Sequence, residues 1–342
     1  RLAFKAMGRT TALLTLPNAK TCRSPRELVG DFVTLFGTAD PELLEHEGKA
    51  FFAGGRRYTV DVHGHSLSVY SGTGSRRAIA HDAIVRKIAE IMSFAGLRGV
   101  AVEDANVFKC CIGNTARRRR YLQQLRLHTT GHGIRPDLSV PRHPTARSPD
   151  GPSQHQLYDV KTIGRTSKYH TAYRVQPVDQ RARAVPGEYL RSAIQCDRTW
   201  NETPPGTVGT FEAYLRSLPP VIGLGFGGYG EWSKEVDSLI GQLAEIASEV
   251  PERLGCCHGQ AQAQGQYAQW ARKHLHRESL REVSRCRHAA LDRLLLRPTE
   301  TFAGDPDYCR RMDDAPNDPG VANAWDSSDA RGGHEDLPPR GG

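Results

Sequence analysis

Between Arg77 and Ala95 the apolar residues Ala80, Ile84, Ile88, Ile91 and Ala95 recur at spacings of three and four. That is the stripe of an amphipathic helix, and Gly96 and Gly99 close it. A helix with one apolar stripe needs a second layer to cover it. Short apolar runs follow that can build one: Val100–Val102 with Val107-Phe108 around Glu103, Ile134–Val140, Gln156–Ile163 and Val221–Phe226. Pro136 confines the second run to an edge or a strand start. The last run is nearly continuous, as in a buried strand. Val236, Leu239, Leu243 and Ile246 predict a helix over 232–248, and a further helical region over 266–296 stops at Pro298. Residues 1–50 have no sustained period, 51–75 read as short strands and turns, 141–154 as a loop, and 164–219 as irregular or helical. The mixed order predicts an α/β core, with a C-terminal helical extension.

Composition narrows the function class. A chain of 342 residues with 38% hydrophobic and 25% charged residues can bury a sizeable core. No run approaches the ~18 apolar residues of a membrane helix, so no membrane role is expected. The chain opens on Arg1, which fits a piece of a longer reading frame, and it has no leader pattern, so secretion is not expected. From Arg297 onward ten acidic residues face five basic ones, so the net +8 leaves +13 on residues 1–296. Such a balance favours an anionic partner, nucleic acid first. The tail after Pro298 is rich in Pro and Gly and reads as disordered. None of the eight cysteines forms a C-x2-C or C-x4-C pair, so they read as incidental thiols and no zinc is expected. Cys256-Cys257-His258, near His274 and His276, does not outweigh that reading.

The residues that carry chemistry are Arg135-Pro136-Asp137 and Asp159-Val160-Lys161. Side chains at i and i+2 of a strand share a face, so Asp159 and Lys161 project together while Val160 turns into the core. If the two strands pair, Asp137 reaches the same point. Two carboxylates and a backbone carbonyl make the oxygen-rich shell that Mg²⁺ prefers, and such an ion at a phosphodiester polarises the phosphoryl group. The bland alternative is a turn at Asp137 and an ordinary surface pair at Asp159 and Lys161.

Pro-Asp, then Asp-Val-Lys after an amphipathic helix and a strand, resembles the PD-(D/E)XK nuclease superfamily. The closer resemblance is to the restriction-like endonuclease of non-LTR retrotransposons. Gly64-His65-Ser66-Leu67-Ser68 is similar to the end of that family's knuckle, and Arg76-Arg77-Ala78-Ile79-Ala80-His81-Asp82 to its helix start. Val69 stands where the knuckle's last cysteine belongs, and Ala80 where a basic residue precedes the family's His. The resemblance implies a degenerate knuckle in residues 1–75, a restriction-endonuclease-like core over 76–250, a basic helical extension over 251–297 and an acidic tail over 298–342. It implies Mg²⁺-dependent (or Mn²⁺-dependent) DNA cleavage in the nucleus, nicking a target for a retroelement whose RNA or reverse transcriptase would be a partner. Asp137, Asp159 and Lys161 would be catalytic, with Asp137 and Asp159 as metal ligands. The competing reading is a catalytically silent nucleic-acid-binding remnant.

Other residues are weighed around this site. Glu103 is the candidate for a further metal ligand, whereas Glu90 lies about 130° from the centre of the apolar stripe and reads as solvated. His81, about 50° from that centre, can face inward towards the strands, where a satisfied structural histidine is the plainer reading. Arg117, Arg118, Arg119 and Arg120, read as a loop, join Arg135 and His81 as candidate nucleic-acid contacts and double as an import signal. Arg277, Arg281 and Arg285 form a stripe that Glu278 and Glu282 can neutralise within the helix. Gly223-Leu-Gly225-Phe-Gly-Gly228 satisfies G-x-G-x-x-G, but its glycines occupy the strand itself and read as close strand–helix packing, not as a dinucleotide site.

Overall fold

The structure, a computed structural model, describes residues 24–36, 38–53, 56–69, 74–126, 133–141, 155–163, 177–228, 230–249 and 259–295. The acidic tail, the loop over 142–154 and Cys256-Cys257-His258 lie outside the described residues. The chain is α/β. Its first elements are helix α1 (Pro25–Phe36), the short α2 (Pro41–Leu44), and the antiparallel hairpin of β1 (Ala50–Ala53) and β2 (Arg56–Thr59). Helix α3 (Gly74–Ala95) carries the predicted stripe. Then come β3 (Ala101–Val102), α4 (Thr115–Arg126), β4 (Leu138–Val140), β5 (Gln156–Thr162), α5 (Pro177–Trp200), α6 (Thr210–Ser217), β6 (Ile222–Phe226), α7 (Lys234–Ser248) and α8 (Gln260–Leu295). None of the described helices is long and apolar enough to cross a membrane.

The main sheet has the order β3-β4-β5-β6 and is mixed: β4 runs antiparallel to β3 and β5, and β6 parallel to β5. Alternation along β5 separates two cores. Tyr158 and Val160 enter one formed with Ile84, Ile88 and Met92 of α3, Leu239 and Leu243 of α7, and Tyr267 and Leu275 of α8. Leu157 faces the other, formed with Tyr121 of α4, Val185, Tyr189 and Cys196 of α5, and Phe211 and Leu215 of α6. Helices therefore cover both faces, as a sheet with a parallel pair requires.

Several expectations are corrected. Arg117 to Arg120 lie on helix α4, not in a loop, with Asn114 accepting the Arg117 N–H ahead of it. The first strand stops at Val102. Glu103 has a positive φ of 51°, and Val107 and Phe108 sit in a turn that enters the second core. Residues 25–36, read without a period, form α1. Residues 177–200 and 210–217, read as irregular or helical, are helices α5 and α6. A parallel neighbour such as β6 cannot be reached from β5 without a crossover, and these helices make it. Pro186 sits inside α5 and removes the N–H that would bond the Ala182 carbonyl. A Cβ on Gly223 would lie only 2.2 Å from that carbonyl oxygen, and one on Gly225 only 2.5 Å from that of Val178. Both glycines are thus close-packing devices.

The last helix is longer than predicted and is integral to the core instead of extending from it. The Tyr267 hydroxyl donates to the Ile91 carbonyl at 2.6 Å. Farther along, Leu291 and Leu294 close a third cluster with Leu43, Phe51 and Leu67. Arg287 pairs with the buried Asp40 at 2.8 Å. Arg277 is buried, and Arg281 and Arg285 both turn to Glu27 of α1.

Candidate functional site

Leu138 pairs with Tyr158 in the antiparallel register, so Asp137, one residue before β4, falls opposite Asp159 where the ladder ends. The β4 ladder ends there because Pro136 has no N–H to offer. Asp137 takes over: its Oδ2 accepts the Val160 N–H at 2.6 Å, and its carbonyl accepts the Glu103 N–H at 2.9 Å. On β5, Lys161 Nζ lies 2.7 Å from Asp159 Oδ2. The predicted trio Asp137, Asp159 and Lys161 is therefore brought together at the ends of two neighbouring strands.

Helix α5 adds two residues the sequence reading passed over. The Tyr189 hydroxyl donates to Asp159 Oδ1 at 3.0 Å, and Glu188 Oε2 lies 3.2 Å from Lys161 Nζ. The signal for both was the spacing of Val178, Ala182, Val185, Tyr189, Ala193 and Cys196, all of them buried. Burial and the adjacent Asp137 carboxylate push Asp159 up from its ordinary value, against the pull of Lys161 and Tyr189. Burial acts to lower Lys161, but Asp159 and Glu188 outweigh it and hold the ammonium above its ordinary value.

His81 comes in from α3, as its place on the helix predicted. Its Nε2 is 3.2 Å from both Asp137 Oδ2 and the Val160 carbonyl, and its Nδ1 is 3.2 Å from Asp82 Oδ1. All three neighbours are acceptors, so each ring nitrogen carries a proton. Burial works against that charge, yet Asp137 and Asp82 prevail and raise the imidazole to about 9.

The remaining candidates are engaged elsewhere or face solvent. Glu103 gives its carboxylate to Arg135 at 3.2 Å, and Arg135 also donates to the Leu125 carbonyl at the end of α4. Arg117 donates to the Trp200 carbonyl and to Glu202, and Arg118 to the Ile112 carbonyl. Arg119 and Arg120 are exposed. Glu90 is exposed and pairs with Lys87. In the knuckle-like segment, the Asp61 carboxylate accepts the backbone N–H groups of His63, His65 and Ser66.

The donors available to a metal are the carboxylate oxygens of Asp137 and Asp159 and the Val160 carbonyl, hard oxygens that suit Mg²⁺. The position between Asp137 and Val160 is held by the His81 ring. Among the described residues no group of three or more His, Cys, Asp or Glu side chains is arranged to hold a metal ion. No protein-family model, curated protein or solved structure matches the chain.

Proposed function

We propose that the chain is a restriction-endonuclease-like, metal-dependent endonuclease that hydrolyses DNA phosphodiester bonds, nicking a nuclear target site for a retroelement. The observation that carries this reading is the convergence of Asp137, Asp159 and Lys161, with the ammonium 2.7 Å from the Asp159 carboxylate. Asp137 and Asp159 would hold Mg²⁺ or Mn²⁺, which when bound supplies Lewis-acid polarisation of the phosphate and of its attacking water. Lys161 would orient that water and offset negative charge developing on the phosphate. Tyr189 fixes the rotamer of Asp159, and Glu188 steadies Lys161. Water would add to phosphorus, losing one proton to solvent, as the bond to the 3′-oxygen breaks, and that oxygen would leave with a proton from solvent.

A second reading, a nucleic-acid-binding remnant without catalysis, is favoured by the His81 ring, which closes Asp137 and the Val160 carbonyl upon the protein itself. A supercoiled-plasmid assay with Mg²⁺ or Mn²⁺ separates the two. The nuclease is expected to nick, and Asp159→Ala to abolish nicking while leaving folding and DNA retention intact. Equal nicking by parent and variant sinks the assignment. Binding without nicking by the parent leaves the remnant.

A further inference from the structure

Helix α5 disposes of its charges unevenly. Each of its carboxylates is used inside the fold. Asp179 accepts the Lys234 N–H at the start of α7. Asp197 accepts the Phe211 and Glu212 N–H groups at the start of α6. Glu188 holds Lys161 and Arg181. What remains outside is cationic: Arg183, Arg191 and Arg198 are exposed and make no ion pair or hydrogen bond among the described residues. At 100° per residue they fall within roughly 80° of one another, and the span from first to last is about 22 Å. Gln180, Ser192, Gln195 and Thr199 are also exposed on this helix, and none of the exposed large hydrophobic residues belongs to it.

We infer that this outer face of α5 is a binding surface for a nucleic-acid phosphate backbone, separate from the carboxylate site. The inference rests on the nucleic-acid partner of the proposed function but not on cleavage. All three cations are arginine, whose planar fork suits phosphate oxygens, and Gln180 and Gln195, the exposed polar residues nearest them around the helix, are of the kind that donate to phosphates. The absence of an exposed large apolar side chain on this helix argues against a bilayer, which an interfacial helix enters by its apolar face. Tyr189 points about 120–180° away from the three arginines around the helix. The surface therefore retains nucleic acid on the far side of α5 from Asp159. Arg119 and Arg120 extend the basic field from α4, whose Arg117 is bonded to the C-terminal end of α5.

The test is fluorescence anisotropy of a labelled DNA duplex titrated with the full chain in EDTA, from 50 to 200 mM KCl. The triple variant Arg183→Gln/Arg191→Gln/Arg198→Gln is compared with Arg86→Gln/Arg98→Gln/Arg216→Gln, which removes equal charge elsewhere. Losing three phosphate contacts flattens the salt slope by about 2.7, or roughly 40-fold less weakening across that range. The control set is expected to keep the parent slope. An unchanged slope in the α5 variant, or an equal loss in the control, overturns the inference. So does a parent chain that ignores the duplex yet binds vesicles of phosphatidylserine and phosphatidylcholine. Because EDTA removes cleavage from the readout, failure of the nuclease assignment is seen in the plasmid assay alone.

Discussion

At the scale of single residues, the centre of the molecule is a crowd of carboxylates around one ammonium and one imidazolium. Asp159 is buried and stays usable only because Lys161 and Tyr189 address its two oxygens separately. Tyr189→Phe removes the neutral donor and leaves the ring's packing in place. Plasmid nicking is expected to fall about tenfold as Asp159 loses its fixed rotamer, with a stability loss of about 1.5 kcal/mol by urea titration. Unchanged nicking would show that Lys161 alone orients the carboxylate. Asp137, Asp159, Lys161 and the inward-facing His81 were legible in the sequence because strand alternation and helical spacing are local rules. Glu103 was not. Its positive φ swings the side chain towards Arg135, and nothing in a two-residue strand announces such a turn.

At the scale of elements, α5 is where sequence reading and structure part. Val-Pro-Gly at 185–187 is a strong breaker by composition, yet the helix runs through it. The bond lost at Pro186 frees the Ala182 carbonyl, and Gly223 of β6 lies against it. The sheet thus approaches the helix at its defect, a tertiary fit that local propensity does not register. The glycine pattern at 223–228 was read as close strand–helix packing or a bend, and Gly223 and Gly225 do pack closely, against a helix whose bounds that reading did not give. Gly223→Ala would force apart two backbones and is expected to cost about 3 kcal/mol. Gly241→Ala, in α7 with open space at its Cβ, is expected to gain about 0.8 kcal/mol instead. Thermal melts of the pair check this; equal shifts would mean that the β6–α5 approach is not tight.

At the scale of the whole molecule, α8 ties regions that lie far apart in the chain. Its first half completes the core that carries the sheet, and its second half shelters the hairpin and α2. The pairing of Arg287 with Asp40 joins the two ends where both groups are almost fully buried. Burial lowers the Arg287 guanidinium from its ordinary value, and Asp40 and Glu42 act against that. Removing one member of such a pair strands the other charge, so Asp40→Ala is expected to cost about 3 kcal/mol. Asp40→Asn, which keeps an acceptor for the Glu42 N–H, is expected to cost less. Chemical denaturation compares the two: equal losses would place the cost in the charge, and a loss confined to Asp40→Ala would place it in the helix cap. The long helical period was legible, but its role was not, since the residues it meets are recognisable only once both ends of the chain are folded. Tyr267 bonds a residue 176 positions earlier. During synthesis at about 5–20 residues per second, the apolar stripe of α3 leaves the ribosome roughly 10–35 s before its lid exists. The part of the α3 stripe that α8 covers stays open for that interval, while β5 and α7 reach the rest of it sooner.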